Sequence, residues 1–288
     1  MLWFTLALGA ALCWSAGSIL VKKGFAHVSP LWNNIINNLL ALVLWIPVAL
    51  ILNRFRLPAP GWGVLAAVLA ASLLYQAFYY CLSQGQLSLT ATIIASYPLF
   101  TILWSHLFLA ERLAAWQYAG AAMVLAGGIV VVLPRRPQSA ARGNAGWVLW
   151  GIAGALCIGT GDFLSKFSVD RVGPYSNLVF LALANLLASG LNYLLDRPNR
   201  PPPALWSRSF LPSFLGILVH LVGALLFLVA FGYGPASLVS TVSSIYPAML
   251  AVLAVRFLKE RIDWRQGLGI GAIVAGLVLI GLASRLAA

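Results

Sequence analysis

The chain has 288 residues, of which 61% are hydrophobic and 8% charged, with a mean hydropathy of +0.93. Soluble domains carry about 25% charged and about 45–50% apolar residues, so this composition excludes an ordinary cytosolic enzyme, a disordered chain and a nucleic-acid-binding module. The net charge is +12, from 18 Lys+Arg against 6 Asp+Glu. Spread over so much apolar chain, those cations do not make a phosphate-binding patch; they fit basic loops beside an anionic lipid leaflet.

A helix needs about 20 mainly apolar residues to cross a hydrocarbon core of about 30 Å. By that rule the sequence predicts ten spans, near 2–21, 32–52, 62–83, 88–109, 114–133, 146–167, 175–195, 211–233, 236–258 and 264–284. The first has no basic run before it, and Lys22 and Lys23 follow it, so it reads as a retained helix rather than a cleaved signal. Breakers and charges separate the spans, among them His27–Pro30, Arg54–Pro60, Glu111–Arg112 and the Pro-rich Asp196–Pro203. No room is left for a soluble domain. Cys13, Cys81 and Cys157 lie inside apolar runs without CxxC spacing and read as packing residues.

The second half repeats the first. Tyr97, Pro98, Glu111, Arg112, Gly120 and Gly127 recur 149 positions later as Tyr246, Pro247, Glu260, Arg261, Gly269 and Gly276. Near the start of each half the offset is 144, as in Cys13/Cys157, Gly17/Gly161, Lys22/Lys166 and Pro30/Pro174. The expected organisation is therefore one all-α membrane domain. Residues 1–140 would be a first five-helix repeat and residues 141–288 a second. Five is odd, so the copies must cross in opposite directions, an inverted repeat of the kind that secondary transporters build around a midplane site.

The run Leu12-Cys13-Trp14-Ser15 through Lys22, and Ser96-Tyr97-Pro98 through Glu111-Arg112, resemble the "WG…K" and "P…E-R" signatures of EamA-type transporters in the drug/metabolite transporter superfamily. Both recur, as Cys157 to Lys166 and Tyr246 to Arg261. The resemblance covers nearly the whole chain. It implies a 5+5 bundle in the cell membrane, the inner membrane in a bacterium, moving amino acids, metabolites or drug-like solutes by alternating access. In the second copy Ile158-Gly159 replaces Trp14-Ser15, so any aromatic wall there is one-sided.

Pro98 and Pro247 fall near the middle of spans four and nine. A proline lacks an N–H and clashes with the carbonyl four residues back. Kinks at both are expected, serving as hinges and freeing the carbonyls of Ile94 and Ser243 for a substrate or for neighbouring hydroxyls. Asp162 is the one carboxylate well inside a span. Such a group belongs in the bundle interior, either as a proton or cation site or as a structural partner of Lys166 one turn on. Ser72, Gln76, Tyr79 and Ser83 form one polar stripe on span three. Asn38 is the deepest of four asparagines on span two, and Asn185 lies mid-span seven. His220, mid-span eight, reads as a hydrogen-bonded core residue or a titrating group.

Trp14, Tyr75, Tyr79, Tyr97, Trp104 and Tyr246 could wall a cavity by stacking or cation–π attraction. Other tryptophans, such as Trp62 and Trp264, suit interfacial anchoring. Gly267, Gly271 and Ala275, with Ala122 and Ala126 on span five, suit close helix packing within a monomer, with a homodimer face as the alternative. The Glu111-Arg112 and Glu260-Arg261 pairs read as turn-stabilising ion pairs.

His, Cys and Asp never occur at metal-ligand spacing, and there is no P-loop, so no metal, cofactor or direct use of ATP is expected. The reading is a secondary transporter of a small organic solute, driven by its own gradient or coupled to protons through Asp162 or His220. Its cavity would lie among helices one, three, four, six, eight and nine. An intramembrane enzyme would need Asp162 and His220 to converge; a non-transporting membrane assembly protein is the other rival. On orientation two arguments oppose each other. Of the 18 basic residues, twelve fall on the side away from the termini, which puts the termini outside. The family resemblance implies termini inside.

Overall fold

The fold follows from what lipid permits. Backbone groups there cannot bond to water, so an apolar chain satisfies them within helices. The computed structural model describes residues 2–22, 28–83, 93–94, 96–132, 146–199, 201–202, 210–246, 248–249 and 264–286. Among them are ten α-helices: α1 (Leu2–Lys22), α2 (Pro30–Leu52), α3 (Trp62–Ser83), α4 (Pro98–Phe108), α5 (Ala115–Val132), α6 (Gly146–Val172), α7 (Pro174–Leu195), α8 (Leu211–Phe231), α9 (Ala236–Ser243) and α10 (Trp264–Leu286). Four stretches are by themselves long and apolar enough to span a bilayer, in α2, α6, α7 and α8. Trp62 and Trp264 are largely exposed at helix starts, where interfacial anchors belong.

Local chemistry sets several boundaries. The Ser29 hydroxyl accepts from the Trp32 N–H at 3.4 Å, and Pro30 opens α2 where its missing N–H costs nothing. α6 runs five residues past its expected end at 167. Lys166 pairs with Asp170 one turn on, and the Arg171 guanidinium lies 3.3 Å from the Phe167 ring centroid. Gly173, at φ +81°, then makes the turn, and Pro174 starts α7.

The expected kink in span four is a break. α4 begins at Pro98, with Ser96 and Tyr97 in a turn before it. The Ile94 carbonyl is not free, because the Tyr97 N–H donates to it at 2.9 Å in a tight i to i+3 bond. Span nine is broken as well: α9 stops at Ser243, and Ser244 and Ile245 turn before Tyr246. Pro247 lies outside the described residues.

Helices from different halves pair antiparallel. α1 runs against α8, so that Gly234, Gly223 and Gly17 meet Trp3, Trp14 and His220 in reverse order. α3 runs against α6, with Tyr75 at Gly161 and Cys81 at Gly154. α2 runs against α7, with Asn38 at Ser189 and Asn53 at Ser176. α5 runs against α10, with Gly120 on Gly276 and Gly127 on Gly269. In that last seam a Cβ on Gly127 would lie 2.5 Å from the Gly269 carbonyl oxygen, so only glycine permits the approach. The stripe singled out in the sequence does not serve packing within the monomer: Gly267, Gly271, Ala275, Ala122 and Ala126 point outward, away from this seam.

These pairings define two sides. The near side carries the starts of α1, α7 and α9 and the ends of α2 and α8; the far side carries the end of α1 and the starts of α2 and α8.

Candidate functional site

A cavity of about 350 Å³ lies between the halves. Of the residues singled out in the sequence, Trp14, Asn38, Tyr75, Gln76, Tyr97, Asp162, Asn185, His220 and Tyr246 line it. Trp104 does not; its indole N–H donates to the Thr160 hydroxyl at 3.0 Å, away from the cavity. Ser243 is buried behind the wall, donating to the Val239 carbonyl at 2.9 Å, with its oxygen 3.4 Å from the Tyr97 hydroxyl. The Tyr79 side chain lies outside the described residues.

Asp162 is 2% exposed. Its two oxygens accept from the Tyr75 hydroxyl at 2.9 Å and the Ser240 hydroxyl at 2.7 Å. Lys166 is not its partner, since Lys166 turns to Asp170. That pair is the one ion pair among the described residues, so the buried carboxylate faces hydroxyls and cavity with no cation beside it.

The opposite wall is built from amides. Asn38 donates to the Ser189 hydroxyl at 2.7 Å and the Asn185 carbonyl at 3.3 Å. The Ser72 hydroxyl donates to the Asn185 side-chain oxygen at 2.5 Å, and Gln76 accepts from Asn192. α2 and α7 therefore contribute to the site, as the choice of Asn38 and Asn185 in the sequence implies, although the expected list of lining helices left both out. The asparagine cluster on α2 was the signal. Phe227, whose ring packs tilted against Trp14 at 5.2 Å between centroids, had none, because an apolar residue on an apolar helix carries no mark.

The third pole is His220. Its Nε2 donates to the Trp14 carbonyl at 3.0 Å and lies 3.2 Å from the Ser18 hydroxyl. Ser18 and Asp162 occupy matching positions of the two halves, 144 apart. One half thus presents a carboxylate held by a tyrosine, the other a hydroxyl held by a histidine. Asp162 and His220 share the cavity, but no hydrogen bond joins them.

The cavity extends to Asn33 and Asn34, near the far-side start of α2. The near side is packed. Every residue of α9 is buried, Gly232 sits on Pro174, and Trp3 covers Gly234. Glu111 closes this side. Its carboxylate accepts from the backbone N–H groups of Ala236 and Ser237 at 2.7 and 3.1 Å, and from the Ser237 hydroxyl at 2.6 Å. A carboxylate on a helix N-terminus satisfies donors that have no partner in the helix and suits its dipole. Glu111 is therefore a cap between the halves, not a turn-stabilising partner of Arg112. Glu260 and Arg261 lie outside the described residues.

The profile of the EamA-like transporter family matches this chain twice, over residues 1–133 and 145–282. An uncharacterized transporter of Archaeoglobus fulgidus is 27% identical over 97% of this chain and 98% of its own length. An uncharacterized protein of Methanocaldococcus jannaschii is 33% identical over 48% of this chain but 97% of its own length, so it is about half as long. A solved crystal structure, 21% identical and covering 99% of both chains with a TM-score of 0.79, shares the fold.

Proposed function

The chain belongs to the EamA-like transporter family of multi-pass membrane proteins, and from that premise we propose that it is a secondary transporter carrying a small organic solute by alternating access. The observation that carries this reading is the cavity of about 350 Å³, walled by both halves, with one buried carboxylate in it. A transporter needs a solute-sized polar chamber that reaches one face at a time, and this chamber approaches the far side while α9 and Glu111 pack the near side.

The halves are two oppositely inserted copies of one five-helix unit. Three observations support that: the antiparallel α2–α7 and α5–α10 pairs of matching helices, the double family match, and the half-length relative. Rocking of the halves about the turns at Ser96-Tyr97 and Ser244-Ile245 would release the Glu111 cap and open the near side. Proton coupling would run through Asp162 or His220, the two titratable cavity groups with the capacity for it. The enzyme alternative is disfavoured, because its acid and base are bonded to different partners.

The test is uptake into proteoliposomes from a mixed pool of labelled amines, amino acids and sugars. At least one solute should accumulate or exchange above empty liposomes, and Trp14→Ala should reduce that flux. Flux equal to empty vesicles for every class overturns the reading.

A further inference from the structure

Among the described residues the cavity walls carry one carboxyl group, that of Asp162, and no lysine or arginine. A substrate anion would therefore leave water for a site whose described lining offers no cation to receive it, which disfavours its entry. A carboxylate offers about four lone-pair positions. Tyr75 and Ser240 each take one, one per oxygen, and even with the Thr101 hydroxyl as a third neighbour the carboxyl group keeps acceptor capacity, with no cation among the described residues beside it.

The surrounding wall has the complementary chemistry. Trp14, Tyr75, Tyr97, Phe227 and Tyr246 all line the chamber. Trp14 sits edge-on to Tyr246 with centroids 6.0 Å apart. Aromatic faces attract cations and stack on apolar bodies, and a dry site strengthens both. On the far-side rim, the Asn34 amide nitrogen is buried and has no partner, a donor left over for an acceptor oxygen on the solute.

We propose that the solute is a singly charged organic amine with an apolar or aromatic body, its ammonium group seated between Asp162 and the aromatic wall. This rests on the transport reading for its biological meaning but concerns binding alone. Tyr75 and Ser240 hold the carboxylate in place, and the aromatic rings receive the body. Anionic solutes are rejected, and neutral ones are held only by the rings and amides.

Three probes of similar shape decide it: phenethylamine, 2-phenylethanol and phenylacetate, titrated by calorimetry and tryptophan fluorescence into the full chain in lipid nanodiscs. Phenethylamine should bind at least about tenfold tighter than 2-phenylethanol, with phenylacetate the weakest. Asp162→Asn should lower phenethylamine affinity at least about tenfold while leaving 2-phenylethanol unchanged, which also reports a folded cavity. Asp162→Glu should keep the preference for the amine. Phenylacetate binding as tightly as phenethylamine, no preference for the amine over the alcohol in the unmodified chain, or an amine preference that survives Asp162→Asn, each overturns the proposal. Binding of the amine without its passage across proteoliposomes would overturn the transport reading and leave the binding class standing.

Discussion

The two central helix pairs, α1 with α8 and α6 with α3, start from matching sequence and end in different chemistry. In each, a glycine at the matching position makes room for a polar ring from the antiparallel partner: Gly17 for His220, Gly161 for Tyr75. In the first pair the ring meets a serine hydroxyl; in the second it meets a carboxylate. The shared residues build the frame, and the departures from symmetry decide what the cavity can bind. A duplicated scaffold with identical poles would offer a solute no direction. With a carboxyl group at one pole and an imidazole beside a hydroxyl at the other, it does.

The largest expected effect removes the departure itself. Asp162→Ala should lower solute flux in proteoliposomes by on the order of a hundredfold, because it deletes the one carboxyl group among the described cavity residues and the partner of Tyr75 and Ser240. Ser18→Ala at the matching position should change flux less than about threefold, since His220 keeps its bond to the Trp14 carbonyl. Equal losses would mean that the poles are equivalent after all.

The two glycines separate stability from function. A Cβ on Gly17 would lie 2.3 Å from the His220 ring and 2.8 Å from the Gly216 carbonyl oxygen, and backbone cannot swing away. Gly17→Ala should therefore cost about 1–3 kcal/mol of stability, read as a lowered melting temperature in detergent. A Cβ on Gly161 meets Tyr75 ring atoms at 2.9 Å and no other residue's backbone within reach of its three nearest contacts. Gly161→Ala should shift the ring off Asp162, reducing flux more than it reduces the melting temperature. The reverse ranking would put the functional pole on the wrong side.

Glu111 tests whether the near side is held by a cap between the halves. Glu111→Ala removes three hydrogen bonds to the first turn of α9 and should destabilise that end by about 1 kcal/mol. A cysteine placed at Ser237 in that background should react faster with a soluble thiol reagent than in unaltered chain. Unchanged reactivity would show that packing, not the cap, keeps α9 closed.

Much of the frame was legible because lipid leaves few choices. Span lengths and breakers located eight of the ten helices within about five residues, while the helices of spans four and nine, Pro98–Phe108 and Ala236–Ser243, are far shorter than the spans expected for them; the interior polar groups Asp162, Gln76, Asn38, Asn185 and His220 had to face a chamber or one another. Partnerships were less legible. Sequence spacing joined Asp162 to Lys166 and Glu111 to Arg112, since a reader of one chain sees only local neighbours. The fold gave Lys166 to Asp170, an equally local neighbour one turn the other way, and Glu111 to α9, whose residues lie 125 and 126 positions away. The small-residue stripe on α10 misled for a related reason. Gly267, Gly271 and Gly269, Gly276 are both spaced for close packing, and only the angle of the neighbouring helix chooses between them.

The finest difference lies where each half's first helix meets the break near tyrosine and proline. Ser15 donates to the Tyr246 carbonyl at 2.7 Å, whereas at the matching position Gly159 lies so close to the Tyr97 carbonyl that a Cβ would be 2.5 Å from its oxygen. One contact is a hydrogen bond and the other bare backbone approach, so the two breaks are not equally held. Thr101 supplies a substitute on the Gly159 side, its hydroxyl donating to the Gly159 carbonyl at 3.3 Å. Ser15→Ala should cost about 1 kcal/mol, measured by thermal melting, by leaving the Tyr246 carbonyl without that donor. It should also change exchange rate more than solute affinity, because the bond holds a moving joint rather than the binding wall. An affinity loss without a rate change would place Ser15 in the wall, and the breaks would then be fixed shape rather than hinges.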